Sequence, residues 1–402
     1  MKDTIVPRPT YLSTLESYIN VPVVKILAGI RRSGKSTIFS MFSKLLIQKN
    51  VPHDSIVYRR YTQMEIDEGF TAVHMYKDLI QQIRTDTTYY LLLDEVQEIE
   101  GWEKAVNDIF EKYPVDIYIT GSNSRLMSSE ISSYLSGRYI EIPVYTLSFR
   151  EYLRFKSMST LTQRELLVAY IKGGGFPVTA LSDFSQETIY QIVEGIYNSV
   201  VMNDIARRHQ IKNQDLFNRT VLYVIENVGK TFSAHAIIRF LKNEGRKLSV
   251  ESIYDYLDWL EKAFIIYRCK RYDLQGKMVL KTQEKFYLAD SSLKYCLMGY
   301  NATSLASMME NIVYLELRRR GFTVYIGKNG TKEIDFIAEK QEERLYIQVC
   351  RNLPETSNRE IGNLMEIKDH YPKWVVTFDD LAGGNENGIQ IMHLEDFLIR
   401  EW

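Results

Sequence analysis

Cysteine is scarce. Cys269, Cys296 and Cys350 are the only three in 402 residues, and they lie far apart. An odd, scattered set supports neither a disulfide framework nor a zinc cluster, and it fits a reducing interior. Long apolar runs are missing too: no stretch reaches the 18 residues that would suggest a membrane span. The start, Met1-Lys2-Asp3-Thr4, leads into no apolar core of signal-peptide length. These absences predict a cytoplasmic protein with no membrane partner. Charge of one sign is lacking as well, with 50 Lys and Arg against 51 Asp and Glu and a formal net charge of −1. A chain-wide polyanion partner is therefore not expected, and any basic surface must be local. What remains is an ordinary globular composition, 45% hydrophobic and 25% charged, in a chain too long for one core. Two to four domains are expected.

Against this plain background one stretch stands out: Gly29-Ile30-Arg31-Arg32-Ser33-Gly34-Lys35-Ser36-Thr37. It follows the apolar run Val23–Ala28 and precedes a helical pattern over 37–49. Strand, loop and helix are the setting a Gly-x-x-x-x-Gly-Lys-Ser phosphate loop requires. Gly29 and Gly34 allow the backbone to curl so that several N–H groups face a polyphosphate, and the helix N-terminus adds partial positive charge. Lys35 is expected to reach the β- and γ-phosphates of ATP, and Ser36 to offer its hydroxyl to Mg²⁺.

The first 150 residues alternate strands and helices. After a strand at 55–58 and a helix near 72–84, Tyr89-Tyr90-Leu91-Leu92-Leu93 runs into Asp94-Glu95. A buried parallel strand delivers carboxylates in this way at its C-terminal end. Asp94 is expected in the Mg²⁺ shell, and Glu95 is placed to orient or deprotonate an attacking water. The next strand, 115–120, ends at Gly121-Ser122-Asn123-Ser124. Those polar side chains could bond the γ-phosphate or the water, or simply cap the next helix. Arg138 precedes a short strand, Ile140–Ile142. It could neutralise charge developing during phosphoryl transfer, or make a surface ion pair worth under ~1 kcal/mol.

The motifs Arg31–Thr37, Leu93-Asp94-Glu95-Val96-Gln97, Thr120-Gly121-Ser122-Asn123, Ser136-Gly137-Arg138 and Leu147-Ser148-Phe149-Arg150-Glu151-Tyr152 together resemble a prokaryotic family. These are the AAA-type ATPases that carry a C-terminal region of uncharacterised function, similar to archaeal ATPases kin to replication initiators. The resemblance covers essentially the whole chain. It implies an α/β P-loop NTPase core with a five-stranded parallel sheet, an extra strand lying between the phosphate-loop strand and the Asp94 strand. It also implies Ser122 or Asn123 at a sensor position and Arg138 as an arginine finger, acting on its own nucleotide or a neighbour's.

Beyond the core (1–155) the sequence predicts a helical lid or linker (156–212), a winged-helix-like domain (213–290) and a final α/β domain (291–402). Gly173-Gly174-Gly175-Phe176-Pro177, which the family shares in similar form, reads as a hinge or a plain loop. The helix over 187–208 ends in Arg207-Arg208-His209, cations suited to a helix C-terminus. Helices near 214–227, 233–243 and 250–263 precede strands at 264–268 and 285–289. The outward face of the third helix carries Glu251, Asp255 and Asp258, the wrong sign for a DNA groove. Basic residues gather on the second helix and on the wing, so duplex DNA remains an option beside a protein partner bound through 213–402.

The last part, a helix from Met309 and strands at 323–326, 333–338 and 345–349, resembles the restriction-endonuclease-like fold. Glu310 and Asp335 match its first two acidic positions, but the third reads Gln348-Val349-Cys350 where Glu-x-Lys is expected. An amide ligates Mg²⁺ weakly and a thiol cannot replace the lysine, so a degenerate, non-cleaving module is expected. The segment 379–387 is polar, Gly-rich and predicted to be mobile. The reading is thus an Mg²⁺-dependent ATPase coupled to its C-terminal domains, homo-oligomerisation being one option. Its rival is a nucleotide-gated protein- or DNA-binding switch with negligible turnover. A small-molecule kinase lacks any marked acceptor lid, and a GTPase lacks the Asn-Lys-x-Asp guanine reader.

Overall fold

A computed structural model describes residues 5–62, 69–122, 134–135, 137–206, 209–211, 213–353, 359–379 and 383–402. The chain divides into two compact units. One holds the residues through Tyr145 with Lys262–Phe264, and the other holds Thr146–Glu261 with Ile265–Trp402.

The first unit runs α1 (Pro9–Ser17), β1 (Val24–Ala28), α2 (Lys35–Gln48), β2 (Ile56–Arg60), α3 (Ala72–Ile80), β3 (Tyr89–Asp94), α4 (Trp102–Lys112), β4 (Val115–Gly121) and β5 (Tyr139–Pro143). Its five strands are all parallel in the order β2-β3-β4-β1-β5, so β4 lies between the loop strand and the Asp94 strand as the resemblance implies. Successive side chains of a strand face opposite sides, and here each side is covered. Leu91 and Leu93 join Met75, Leu79, Val106 and Ile109 of α3 and α4. Tyr90 and Leu92 join Ile38, Phe39 and Phe42 of α2. Every residue of β1 is buried, Lys25 included. Its ammonium bonds Asp116 and the Val21 carbonyl (2.6 Å), and Asp116 also accepts from the Asn20 amide (2.8 Å) and the Tyr118 hydroxyl (2.9 Å). A buried ion pair persists when its remaining hydrogen-bonding capacity is filled in this way.

The second unit begins with α5 (Phe149–Phe155), α6 (Gln163–Gly173), α7 (Pro177–Ala180), α8 (Gln186–Ser199), α9 (Gln214–Glu226), α10 (Ala234–Asn243) and α11 (Val250–Lys262). It continues with β6 (Ile266–Asp273), β7 (Met278–Leu288), α12 (Ser292–Met298), α13 (Leu305–Arg319), β8 (Thr323–Asn329), β9 (Lys332–Lys340) and β10 (Glu343–Cys350). It closes with α14 (Arg359–Met365), β11 (Lys373–Thr377), β12 (Gly384–Glu386), β13 (Ile389–His393) and α15 (Leu394–Ile399). The Leu-Ser-Phe-Arg-Glu-Tyr motif is a helix start. Ser148 Oγ accepts from the Glu151 amide (3.2 Å) and Glu151 Oε2 from the Ser148 amide (2.9 Å), a reciprocal capping box.

Three expectations change here. The strands forecast at 264–268 and 285–289 are the ends of a much longer hairpin, β6–β7. The polar sequence Lys281-Thr282-Gln283-Glu284-Lys285 hides it, because Glu284 and Lys285 are buried charges rather than solvated ones. The hairpin is also no free wing. One sheet has the order β12-β13-β11-β10-β9-β8-β6-β7, and β6 pairs in parallel with β8. The segments 213–290 and 291–402 therefore share a sheet, with no break at 290/291. Finally, the tail expected to be mobile contains β12, paired antiparallel with β13, although Asp380–Ala382 lie outside the described residues.

The three glycines before Phe176 end α6 and form its tight connection to α7. Gly173, Gly174 and Gly175 are all buried. Gly174 has φ +73°, and a Cβ there would stand 1.7 Å from Asp290 Oδ1; one on Gly175 would stand 2.4 Å from the Leu147 carbonyl. Asp290 accepts from the Gly175 amide (2.8 Å) and the Ser292 amide (3.0 Å). The run lets two backbone segments come into contact. The long helix forecast over 187–208 is α8 followed by a π-helical stretch, Val200–Ala206, and Arg207 and Arg208 lie outside the described residues.

Candidate functional site

The site forms at the C-terminal edge of the five-stranded sheet, where β1 and β3 end. After Ala28 the chain turns through Gly29–Gly34 into α2. Gly29 is glycine for a packing reason: a Cβ there would stand 2.0 Å from the Val144 carbonyl oxygen, just past β5. The curl itself comes from Arg32 (φ +64°) and Gly34 (φ +97°), left-handed positions that reverse the backbone ahead of the helix. Ile30 is buried. Ser36 and Thr37 sit in the first turn of α2, whose leading N–H groups have no partner within the helix.

Lys35 is buried, and its ammonium donates to the carbonyls of Gly29 (2.8 Å) and Ile30 (3.1 Å), folded over its own loop. Ser33 is fully buried, and its hydroxyl finds no partner. An orphaned buried hydroxyl, a folded-back ammonium and a helix N-terminus, all within one loop, make a donor set that fits a polyphosphate.

The Asp94-Glu95 pair stands at the end of β3. Asp94 is fully buried; Thr120 donates to Oδ1, the Tyr58 hydroxyl donates to Oδ2 (3.1 Å), and Arg60 Nε lies 3.8 Å from Oδ2. Glu95 takes a left-handed backbone (φ +57°), and its amide donates to Thr120 Oγ1 (3.1 Å). Its carboxylate accepts from the Gln97 amide and from Ser122 Oγ (3.2 Å). Burial pushes the Glu95 carboxyl up, but the charge of Lys35, the Gln97 amide, Arg31 and the Ser122 hydroxyl together hold it below its ordinary value. Glu95 is therefore ionised at neutral pH. Arg31 also lies 3.7 Å from Glu98.

Lys35, Glu95 and Ser122 are thus brought together, with Asp94 alongside. Asn123 lies outside the described residues. Arg138 is not brought to this loop. β5 runs parallel to β1 with Val24 opposite Tyr139, so Arg138 stands at the N-terminal edge, a strand length of about 16 Å from the phosphate loop. There it pairs with Glu111, both side chains well exposed, the surface ion pair that its position also allowed.

Three site residues escaped the sequence reading. Thr120 looks like one more strand residue, yet its hydroxyl bridges Asp94 and Glu95. Tyr58 closes over Asp94 from β2. Arg8, only 2% exposed, donates to the Ser33 carbonyl (2.9 Å) and the Tyr145 carbonyl (3.1 Å) and lies 4.4 Å from the Tyr11 ring, strapping the loop from behind. A charged residue between two prolines ahead of a helix carries no local pattern that would announce this.

Comparison with known proteins bears on the family and the fold. Residues 22–153 match a family described as AAA domain, and residues 164–304 match a domain of unknown function (DUF8612). An uncharacterized protein of Haemophilus influenzae is 36% identical over 405 residues, covering 100% of both chains. One from Methanocaldococcus jannaschii is 30% identical over 84% of this chain and 77% of its own. Among solved structures, a Walker-type ATPase of Pyrococcus abyssi aligns over 73% of this chain and 96% of its own, with a TM-score of 0.54 and 17% identity. That likeness concerns the fold. No helix among the described residues is long and apolar enough to cross a membrane.

Proposed function

We propose that this chain, which belongs to the family of the Haemophilus influenzae protein matched along its full length, is a cytoplasmic ATPase. The observation that carries the reading is the 29–37 loop itself, with the Lys35 ammonium folded onto its carbonyls and the orphaned Ser33 hydroxyl, beside the Glu95 carboxylate that accepts from Ser122. ATP would bind with its phosphates on the 29–37 loop, Lys35 moving from the Gly29 and Ile30 carbonyls to the β- and γ-phosphates. Ser36 and Asp94 would hold Mg²⁺, which supplies neutralising charge to the phosphates when bound. Glu95 would orient and deprotonate the attacking water, and Ser122, with Asn123, would report on the γ-phosphate. Arg138 stands too far from its own loop to act there, so any role in catalysis would be on a neighbouring chain's nucleotide, in a homo-oligomer.

Hydrolysis would drive rearrangement within residues 146–402, and a protein is the better candidate partner for that region than duplex DNA. Among the wing's basic residues, Arg268 faces Glu261 (3.1 Å) and Glu284 (3.6 Å), and Arg271 faces Glu333. Cations already matched to internal carboxylates offer little to a phosphate backbone. A slow, nucleotide-gated switch is the second reading. What favours it is that Gln97 and Ser122 both donate to Glu95 Oε2, which lowers the basicity of the carboxylate toward a water.

Steady-state ATP hydrolysis by wild type and Glu95→Gln, with and without duplex DNA, tests both. The expected result is retained ATP binding with turnover down at least 100-fold in the variant, in the range for losing a general base. Unchanged turnover would remove Glu95 from the mechanism. Slow hydrolysis by the wild type itself would favour the switch.

A further inference from the structure

Arg8, just ahead of α1, is buried, and its guanidinium is shared between two carbonyls from distant parts of the chain. Nη1 donates to Ser33 (2.9 Å) and Nη2 to Tyr145 (3.1 Å). Each carbonyl belongs to a peptide group with a second role. A trans peptide points its C=O and its N–H in opposite directions, and no peptide bond among the described residues is cis. With the Ser33 carbonyl turned back to Arg8, the Gly34 N–H of the same peptide faces away from Arg8, into the 29–37 loop. Arg8 therefore grips the back of a peptide whose front is a phosphate donor.

The other peptide joins Tyr145 to Thr146, where the chain passes from the first compact unit to the second. Val144, Tyr145, Thr146 and Leu147 are all buried, and their backbone groups are held one after another. In the first unit, the Val144 amide donates to the Ala28 carbonyl (2.8 Å) and the Tyr145 amide to the Tyr11 hydroxyl (3.1 Å). In the second, Arg319 donates to the Thr146 and Leu147 carbonyls (3.3 Å each), and the Thr146 hydroxyl to the Ala289 carbonyl (3.1 Å). The Leu147 amide donates to the Gly175 carbonyl (2.7 Å). A segment anchored at every residue has no slack in which a displacement could be lost.

Nucleotide binding acts on one end of this series of contacts. Lys35 has to leave the Gly29 and Ile30 carbonyls for the phosphates, and phosphate oxygens draw on the amides of the loop. A pull on the Gly34 N–H is a pull on the Ser33 carbonyl. A guanidinium is planar and holds its donors in a rigid fork. The Ser33 carbonyl therefore cannot shift without carrying the Tyr145 carbonyl along or leaving a buried charged donor unpaired, which is costly. We propose that Arg8 carries the nucleotide state of the phosphate loop to the Tyr145–Thr146 peptide, and through that bond to Thr146 and Leu147. The proposal rests on the reading of the 29–37 loop as an ATP site, and it names the route from that site to residues 146–402.

The test is backbone hydrogen exchange, read by mass spectrometry, on the full-length chain with and without Mg²⁺ and the non-hydrolysable analogue AMPPNP. Wild type, Arg8→Lys and Tyr11→Phe are compared, each at saturating nucleotide. In wild type the nucleotide should slow exchange over 29–37 and change it over 145–149 on the order of tenfold, within the ordinary range of coupling between sites. Arg8→Lys keeps the charge but replaces the fork by a single ammonium, so it should keep the loop response and lose the one at 145–149. Tyr11→Phe frees the Tyr145 amide, leaves the ring beside Arg8 and should keep both responses. A wild-type loop response with no change at 145–149 overturns the proposal without need of any variant. So does an Arg8→Lys protein that responds at both segments, or equal loss in Arg8→Lys and Tyr11→Phe, which would make the response a general tightness of the segment. If calorimetry shows that wild type binds no nucleotide, the ATP-site reading itself fails, and the proposal with it.

Discussion

The carbonyl of Arg138 accepts a hydrogen bond from the amide of Val24 (2.9 Å), at the foot of the strand whose head carries the phosphate loop. That bond separates the arginine from the chemistry of its own chain. If Arg138 assists hydrolysis, it does so from one chain to the next. Arg138→Ala and Lys35→Ala should each be nearly inactive alone and should regain turnover when mixed. No recovery in mixed oligomers would leave Arg138 only its ion pair with Glu111, and Arg138→Ala would then cost less than ~1 kcal/mol of stability.

Glu95 sets a pH signature. Its carboxyl is held below its ordinary value of 4.5 in the folded protein. The stability it lends is present above that ordinary value and is lost as pH falls through the depressed folded value. The pH dependence of kcat/KM, which reports the free enzyme, should show no acid limb from Glu95 above pH ~5. Gln97→Leu removes one bond to the carboxylate and should move that limb upward. A limb near pH 6.5 in the wild type would point to a different base.

The loop is held from behind as much as it is shaped from within. Gly29→Ala would drive a methyl group into the Val144 carbonyl, with an expected loss above ~3 kcal/mol and a matching loss of ATP affinity. Arg8→Ala strips the Ser33 and Tyr145 carbonyls of a charged donor, for roughly 2–3 kcal/mol. Chemical denaturation and nucleotide titration on the same samples check both. An Arg8→Ala protein of wild-type stability and affinity would show that the strap is dispensable.

The glycine run can be tested one residue at a time. At Gly173 a methyl group meets Ile189 side-chain atoms at 3.5 and 3.6 Å, ordinary contact, so Gly173→Ala should stay within ~0.5 kcal/mol of wild type. Gly174→Ala meets Asp290 at 1.7 Å with φ at +73° and should lose more than ~3 kcal/mol. Equal effects in thermal or urea melts would make the run a simple connector.

What could be read beforehand was chemistry confined to a few consecutive residues. Gly29–Thr37 and Asp94-Glu95 announce themselves because a strand end, a glycine turn and a helix start lie side by side in the chain. Thr120, Tyr58 and Arg8 do not, since their importance arises only when parallel strands and a distant helix bring them to the carboxylates and the loop. Arg138 left its options open for a related reason: its motif is local, and only the parallel register of β5 shows that it stands at the edge opposite its own loop. The β6–β7 hairpin was obscured by charges that read as solvated, although Lys285 and Glu284 are buried among partners supplied by other elements.

That hairpin has a practical corollary for dissecting the protein. Arg271, Tyr272 and Asp273 are matched with Ile326, Gly327 and Lys328 across the β6–β8 join. A fragment cut at residue 291 would leave β8 with a row of bare amides and carbonyls, a template for adventitious pairing and aggregation. The shortest piece of the C-terminal half with a chance of staying monodisperse therefore begins before β6, and partner-capture baits cut at 291 invite false positives.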